Sequence, residues 1–151
     1  MHARILVLVS VLFAAAQVGA ADWPHWLGPK RDGSSPEKGL LTKWPESGPK
    51  VIWKEKGGQG YSTIAVAEGR AITLVQQDAE YAIAYDAAKG GELWKTKIGA
   101  AFKNSYGNGP RSTPTIEGDR VYVQSVSGNL ACLDAKTGMI VWEKNILKLF
   151  G

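Results

Sequence analysis

The chain has 151 residues, a formal net charge of +4 and one cysteine. Its 44% hydrophobic and 21% charged residues exclude an intrinsically disordered chain. The lysines are scattered along the sequence, so no nucleic-acid-binding surface is predicted. The single Cys132 excludes an internal disulfide, and we expect it to be a small buried residue.

Residues 1–20 are predicted to be a secretory signal peptide. Arg4 supplies the positive end, residues 5–16 form an apolar run, and residues 18–20 form a small-residue cleavage site. An apolar run of this length is too short to span a bilayer, so no transmembrane segment is predicted. No cysteine follows the run to accept a lipid. The chain is therefore expected to be exported, periplasmic or secreted, and soluble.

Residues 21–50 form a Pro/Trp-rich N-terminal arm. This segment holds five of the 7 prolines and three of the 6 tryptophans. Proline at this density excludes a helix or a central strand. The arm is expected to lay Trp23, Trp26 and Trp44 over the surface of the folded domain as anchors.

Residues 51–56 read as a single outer strand without the strands that should precede it. The stretch is Val-Ile-Trp-Lys-Glu-Lys, and it matches the strand around Trp94 further along the chain. We predict a closing outer strand that pairs with a blade outside this chain.

The rest of the sequence is a tandem repeat, with one copy at residues 57–98 and a second at 112–151. Three landmarks keep one offset, for example between the two aspartates (134 − 86 = 48). The aspartate is expected to hold a turn, the glycine to take positive φ, and the tryptophan to pack against the neighbouring unit. This repeat signature comprises Asp86, Gly90 and Trp94 in the first copy and Asp134, Gly138 and Trp142 in the second.

Each copy reads as four short strands separated by glycine-containing turns. The strands are expected near 63–67, 71–76, 81–86 and 92–98, and near 114–117, 120–125, 129–134 and 139–146. Four antiparallel strands per unit predict an all-β fold, a β-propeller with two blades plus the N-terminal closing strand.

These residues also carry a family resemblance. The stretch Leu-Asp-Ala-Lys-Thr-Gly at 133–138, with Val-Tyr-Val ahead of it and Trp142 behind it, resembles the pyrroloquinoline-quinone (PQQ) repeat. The resemblance covers roughly residues 51–147 and is looser in the first copy, where Lys89 replaces the usual threonine. It implies the propeller of quinoprotein dehydrogenases or of the outer-membrane assembly machinery.

Two blades cannot close a propeller, which needs about four to eight. We therefore expect the chain to be an N-terminal piece of an incomplete propeller whose remaining blades lie in a missing C-terminal part. The alternative is that several copies assemble into a ring.

The connector at residues 99–111 is the candidate binding site. It must cross from the rim of one blade to the axis of the next, which would bring Tyr106, Asn108 and Arg111 to the channel mouth beside Tyr61. These side chains suit a protein partner or a small anionic ligand. The alternative is a solvated insertion with glycine hinges.

No catalytic residues and no metal site are assigned from the sequence. The acids Asp78, Glu80 and Glu117 are expected to lie solvated in turns. The expected function is an exported binding or assembly scaffold. The alternatives implied by the resemblance are a PQQ-dependent alcohol or sugar dehydrogenase that uses PQQ with calcium, and an outer-membrane protein assembly propeller.

Overall fold

The computed structural model describes residues 20–150, which form two four-stranded antiparallel sheets. Blade 1 comprises β1 (Ala65–Ala67), β2 (Arg70–Gln76), β3 (Ala79–Asp86) and β4 (Glu92–Ala100). Blade 2 comprises β5 (Thr115–Glu117), β6 (Arg120–Gln124), β7 (Asn129–Asp134) and β8 (Ile140–Asn145), followed by α1 (Ile146–Phe150). The predicted fold class, an all-β propeller with four-stranded blades, is confirmed.

The predicted signal peptide lies outside the described residues, apart from Ala20. Within residues 20–150, no helix combines the length and the apolar character needed to cross a bilayer.

Each blade has two faces because successive side chains of a strand point to opposite sides. We call the face that carries the repeat tryptophan the front face and the other the back face. Ile72, Ala84 and Trp94 lie opposite one another across β2, β3 and β4, so they share the front face of blade 1. Tyr122, Cys132 and Trp142 share the front face of blade 2 in the same way.

The main hydrophobic core lies between the two blades. The front face of blade 1 packs against the back face of blade 2 in one buried cluster. Ile72 and Leu74 contribute from blade 1, and Val121 and Leu133 from blade 2, all four at most 1% exposed. Burying such side chains contributes about 1.5–3 kcal/mol each. Among the described residues, this cluster is larger than the second apolar cluster, on the back face of blade 1.

The N-terminal arm crosses the inner strands of both blades. Trp23 exchanges two backbone hydrogen bonds with Val66 of β1, at 2.7 and 2.9 Å, and the carbonyl of Pro24 accepts one from the amide of Ile116 in β5 at 2.9 Å. The arm therefore ties β1 to β5 with backbone hydrogen bonds.

Two of the three arm tryptophans that were predicted to cover the domain surface lie against it. Trp23 is half-buried and packs over Gly28, and Trp26, although 64% exposed, lines a cavity together with Tyr61 and Arg111. Trp44 is 63% exposed, and the backbone hydrogen bond near it, from the Gly48 amide to the Pro45 carbonyl, is local to its own turn.

Residues 51–56 belong to neither sheet. The segment contacts blade 1 through Trp53, whose ring lies 6.2 Å from that of Tyr85 on the back face, and through Glu55, which accepts a hydrogen bond from the Gly91 amide at 3.0 Å. Val75, Ile83 and Tyr81 also belong to this second, smaller apolar cluster.

Candidate functional site

Each Asp-to-Gly segment of the repeat forms a tight turn at the outer hairpin of its blade. The Asp134 carboxylate accepts hydrogen bonds from the hydroxyl and the amide of Thr137 at 2.8 and 2.9 Å, and these lower the pKa of Asp134. The Gly138 amide donates to the Asp134 carbonyl at 2.8 Å, with φ at 72°. Asp86 and Gly90 repeat the arrangement in blade 1.

Trp94 lies against the turn of the neighbouring blade. Its indole N–H donates to the Ala135 carbonyl at 3.0 Å, and its side chain is only 7% exposed. The ring covers Gly138 so closely that a Cβ there would lie 2.6 Å from the Trp94 Cδ2 atom. Thr96 adds a hydrogen bond from its hydroxyl to the Gly138 carbonyl. A tryptophan on one blade thus fits a glycine turn on the next.

Trp53 makes the same contact with blade 1. Its indole N–H donates to the Ala87 carbonyl at 3.0 Å, and a Cβ on Gly90 would lie 3.0 Å from its ring. Ala87 and Ala135 are equivalent repeat positions (135 − 87 = 48). The N-terminal segment therefore supplies the tryptophan that a preceding blade would otherwise supply.

Trp142 has no such turn among the described residues. It is 40% exposed, and its ring lies 6.2 Å from that of Tyr122 on the same face. It borders an open apolar cavity of about 390 Å³. The other residues that line this cavity are Leu130, Lys144, Ile146, Leu149 and Phe150.

The predicted channel-mouth residues Tyr61 and Arg111 lie together. The Arg111 guanidinium lies 5.3 Å from the Tyr61 ring centre and 5.7 Å from that of Phe102. Its two terminal nitrogens donate to the carbonyls of Gly109 and Gly107 at 3.1 and 2.9 Å. Arg111 therefore uses these two nitrogens for hydrogen bonds within its own connector.

Tyr106 and Asn108 take different places in the connector. The Asn108 amide donates to the Gln59 side chain at 2.9 Å, and its oxygen accepts from the Asn104 amide at 3.1 Å. The Tyr106 carbonyl accepts the Tyr61 hydroxyl at 2.9 Å, while the Tyr106 ring is 88% exposed. Asn108 thus braces the connector, and Tyr106 presents its ring to solvent.

An open cavity of about 420 Å³ lies beside Arg111 and Tyr61, and it is also lined by Trp26, Thr63 and Thr113. The two threonine hydroxyls lie 2.8 Å apart. Sequence reasoning did not assign these threonines to a site. Their recurrence at one repeat position (113 − 63 = 50), two residues before the innermost strands, was the available signal.

The expectation that Glu80 lies solvated in a turn is wrong. It lies in β3 and not in a turn, and it is 0% exposed. One carboxylate oxygen accepts the Val126 amide of blade 2 at 2.9 Å, and the other has no hydrogen-bond partner among the described residues. Burial raises the pKa of Glu80, while the Val126 hydrogen bond and the charge of Arg111 oppose the rise.

Among the described residues, the cavity beside Arg111 and Tyr61 does not fit PQQ with calcium. PQQ carries several carboxylates, whereas the cavity offers one guanidinium, two of whose nitrogens already bind backbone carbonyls. No acidic side chain lines the cavity, although calcium prefers carboxylate oxygens. Across residues 20–150, no group of three or more His, Cys, Asp or Glu side chains is placed to hold a metal ion.

The chain spans only a part of the length of three proteins to which it is similar. The chain is 39% identical over 67 residues to the quinohemoprotein alcohol dehydrogenase ADH IIB of Pseudomonas putida, which is 41% of this chain and 9% of that protein. BamB from Moraxella catarrhalis is 22% identical over 58% of this chain and 25% of its own, with a TM-score of 0.45. The quinohemoprotein alcohol dehydrogenase ADHIIG from Pseudomonas putida HK5 is 22% identical over 61% and 14%, with a TM-score of 0.44.

A family model also matches the chain. It is described as outer membrane protein assembly factor BamB and covers residues 37–148, which include both blades and the second half of the arm. The chain belongs to this family of PQQ-type β-propeller repeat proteins.

Proposed function

We propose that the chain is part of an exported β-propeller that acts as a binding or assembly scaffold, and that the connector at residues 99–111 contacts a protein partner. The division into signal peptide, arm, closing strand and two blades belongs to the same proposal. The family description, an outer membrane protein assembly factor, favours this kind of role.

The observation that carries the proposal is how the connector uses its polar groups. Arg111 binds two connector carbonyls, Tyr61 binds a third, and Asn108 joins Gln59 to Asn104. These hydrogen bonds hold the connector in one shape and leave the Tyr106 ring exposed at its tip. A preorganised loop that presents an aromatic side chain is typical of a protein-binding surface.

Site-specific cross-linking in the cell of origin tests this proposal. A photo-cross-linking amino acid at position 106 should give discrete protein adducts, and the same residue at Met139, 70% exposed in the β7–β8 turn, serves as the control. Adding Arg111→Ala should lower the yield at position 106 because the connector loses two anchoring hydrogen bonds. An adduct yield at position 106 no higher than at position 139 would refute the proposal that the connector contacts a protein partner.

A second candidate is a PQQ-dependent alcohol or sugar dehydrogenase. It is favoured by the 39% identity over 67 residues with ADH IIB, although the chain spans about a tenth of that protein. Titrating the chain with PQQ and Ca²⁺ while following the quinone absorbance distinguishes the two. Saturable PQQ binding together with dye-linked alcohol oxidation would support the dehydrogenase, and the scaffold predicts neither.

A further inference from the structure

The first residues of the arm are tied to the rest of the fold one after another. The Ala21 nitrogen donates a hydrogen bond to the Glu37 carboxylate at 2.8 Å. The Asp22 carboxylate accepts one from the Glu68 amide at 3.3 Å, in the turn between β1 and β2. The next two residues make the backbone hydrogen bonds to β1 and β5 described above. Within residues 20–150 this series of contacts begins at Ala21, directly after the predicted signal peptide.

The arm lies on the edges of β1 and β5 that face the propeller axis. Both strands come first in their sheets, and the first strand of each blade lines the central channel. In an antiparallel pair, successive residues turn their amide and carbonyl groups alternately towards the partner strand and away from it. Val66 uses both groups for Trp23, so they point away from β2 and towards the axis. The start of the arm is therefore an additional strand-like segment on the channel side of the two blades.

The contact between Ala21 and Glu37 closes the arm into a loop. From Trp23 the chain turns back at Gly28, whose φ is 75° and over which the Trp23 ring packs. Glu37 then returns to the start of the arm, so that two residues 16 positions apart in the sequence are in contact. A contact between the ends of a loop limits the freedom of the residues between them. Here those residues include the part of the arm that binds β1 and β5.

This contact becomes an ion pair when the peptide bond before Ala21 is cut. Ala20 and Ala21 are both exposed. Hydrolysis by a signal peptidase consumes one water, whose hydroxyl goes to the Ala20 carbonyl carbon and whose hydrogen goes to the Ala21 nitrogen. A free α-amino group has a pKa of about 7.7–8.0 and carries a further proton below that pH. The Glu37 carboxylate then accepts from an ammonium group, which makes a stronger hydrogen bond than a neutral amide does.

The position of the cut decides whether this pair can form. Residues 18–20 supply the small side chains that precede a signal-peptide cleavage site, which places the cut between Ala20 and Ala21. A cut at that bond removes none of the contacts of the arm. A cut one residue later would remove Ala21 and its contact with Glu37, and the new ammonium group would lie on Asp22.

We propose that cleavage of the Ala20–Ala21 bond during export creates an α-ammonium group that pairs with Glu37, and that this pair fixes the arm along the axis-facing edges of β1 and β5. The proposal rests on the proposed export of the chain and adds to it a structural role for the cut. The new N-terminus closes the arm loop, and the closed loop holds the arm on the channel side of both blades.

N-terminal sequencing and intact mass identify the bond that is cut. The complete protein, expressed with residues 1–20 in a bacterial host that has a periplasm, should be recovered from that compartment with the N-terminal sequence Ala-Asp-Trp. Cleavage at another bond would overturn the proposed pair and leave export intact. A protein that stays in the cytoplasm with residues 1–20 attached would refute export itself, and the pair with it.

Hydrogen exchange of single amides tests the role of the pair. In the mature protein, Glu37→Gln removes the charge and should make the Val66 and Ile116 amides exchange about 3-fold faster, the effect of losing one exposed ion pair. Glu46→Gln, at another exposed acid of the arm, is the matched control and should change neither rate. The Ile72 amide, in the middle of blade 1, should keep its rate in both variants.

A form of the protein that keeps Ala20 separates the charge from the rest of the contact. It is made by cutting a fusion protein directly before Ala20, and it has a neutral amide at the Ala21 nitrogen. Its Val66 and Ile116 amides should exchange about 3-fold faster than those of the mature protein, and Glu37→Gln should then add a smaller change. Equal effects of Glu37→Gln in the two forms, or no effect in the mature protein, would overturn the proposed pair.

Discussion

Replacing Trp94 with phenylalanine measures how much one tryptophan contributes to the contact between the blades. The indole N–H is the donor to the Ala135 carbonyl at 3.0 Å, within a side chain that is 7% exposed. Phenylalanine leaves that carbonyl without its donor, which costs about 1–3 kcal/mol. The smaller ring also leaves a gap over Gly138, which adds about 1 kcal/mol. We expect Trp94→Phe to lower the free energy of unfolding by about 2–4 kcal/mol.

Trp142→Phe is the matched control because it makes the same change at the same repeat position. Trp142 is 40% exposed and its indole has no acceptor among the described residues, so we expect a loss below about 0.5 kcal/mol. Urea titration followed by circular dichroism, with linear extrapolation, measures both values. Equal losses in the two variants would refute the assignment of Trp94 to the inter-blade contact.

Two further predictions concern buried groups at the same interface. Glu80→Gln should become more stable relative to the unaltered chain as the pH rises above about 4.5, the ordinary value of a glutamate pKa. Burial raises the pKa of Glu80 in the folded chain, so ionisation at higher pH favours the unfolded chain, whereas glutamine does not ionise. Urea titrations at pH 4.5 and 7.5 measure the difference in the free energy of unfolding between the two chains, and a shift in favour of the unaltered chain at the higher pH would contradict the prediction. Gly138→Ala should lower the free energy of unfolding by more than about 2 kcal/mol, since a Cβ there meets the Trp94 ring at 2.6 Å and φ is +72°. Gly118→Ala is the control, also at positive φ but with nothing within 4 Å, and should lower it by about 1 kcal/mol. Equal melting temperatures for the two variants would contradict this prediction.

The fold could be predicted from the sequence because each blade is formed by one continuous segment of the chain, and this segment occurs twice. The offset of 48 between Asp86 and Asp134 identifies the hairpins, and the alternation of apolar residues defines the faces. Trp94 could be assigned to a blade interface because a large ring at a repeated position has few other places to pack. These features depend on residues close together in the chain.

The burial of Glu80 could not be predicted, because it depends on a distant residue. Its position in β3 would suit a solvated acid. It is buried because blade 2 packs against it, and its carboxylate accepts a hydrogen bond from the amide of Val126, 46 positions further along the chain. The exposure of Trp44 could not be predicted for a similar reason, since the backbone hydrogen bonds that hold the arm to the blades lie at Trp23 and Pro24. Contacts between segments distant in sequence have no local pattern to predict them.

Hydrogen exchange of the indole N–H groups tests the central claim most directly, namely that the blades stack with Trp94 fixed on the Ala135–Gly138 turn. In nitrogen-labelled protein, the Trp94 indole proton should exchange as slowly as the amides of β2 and β3, because opening it requires the blades to separate. The Trp142 indole proton, on the exposed face, should exchange orders of magnitude faster. Similar rates for the two would contradict the stacked arrangement.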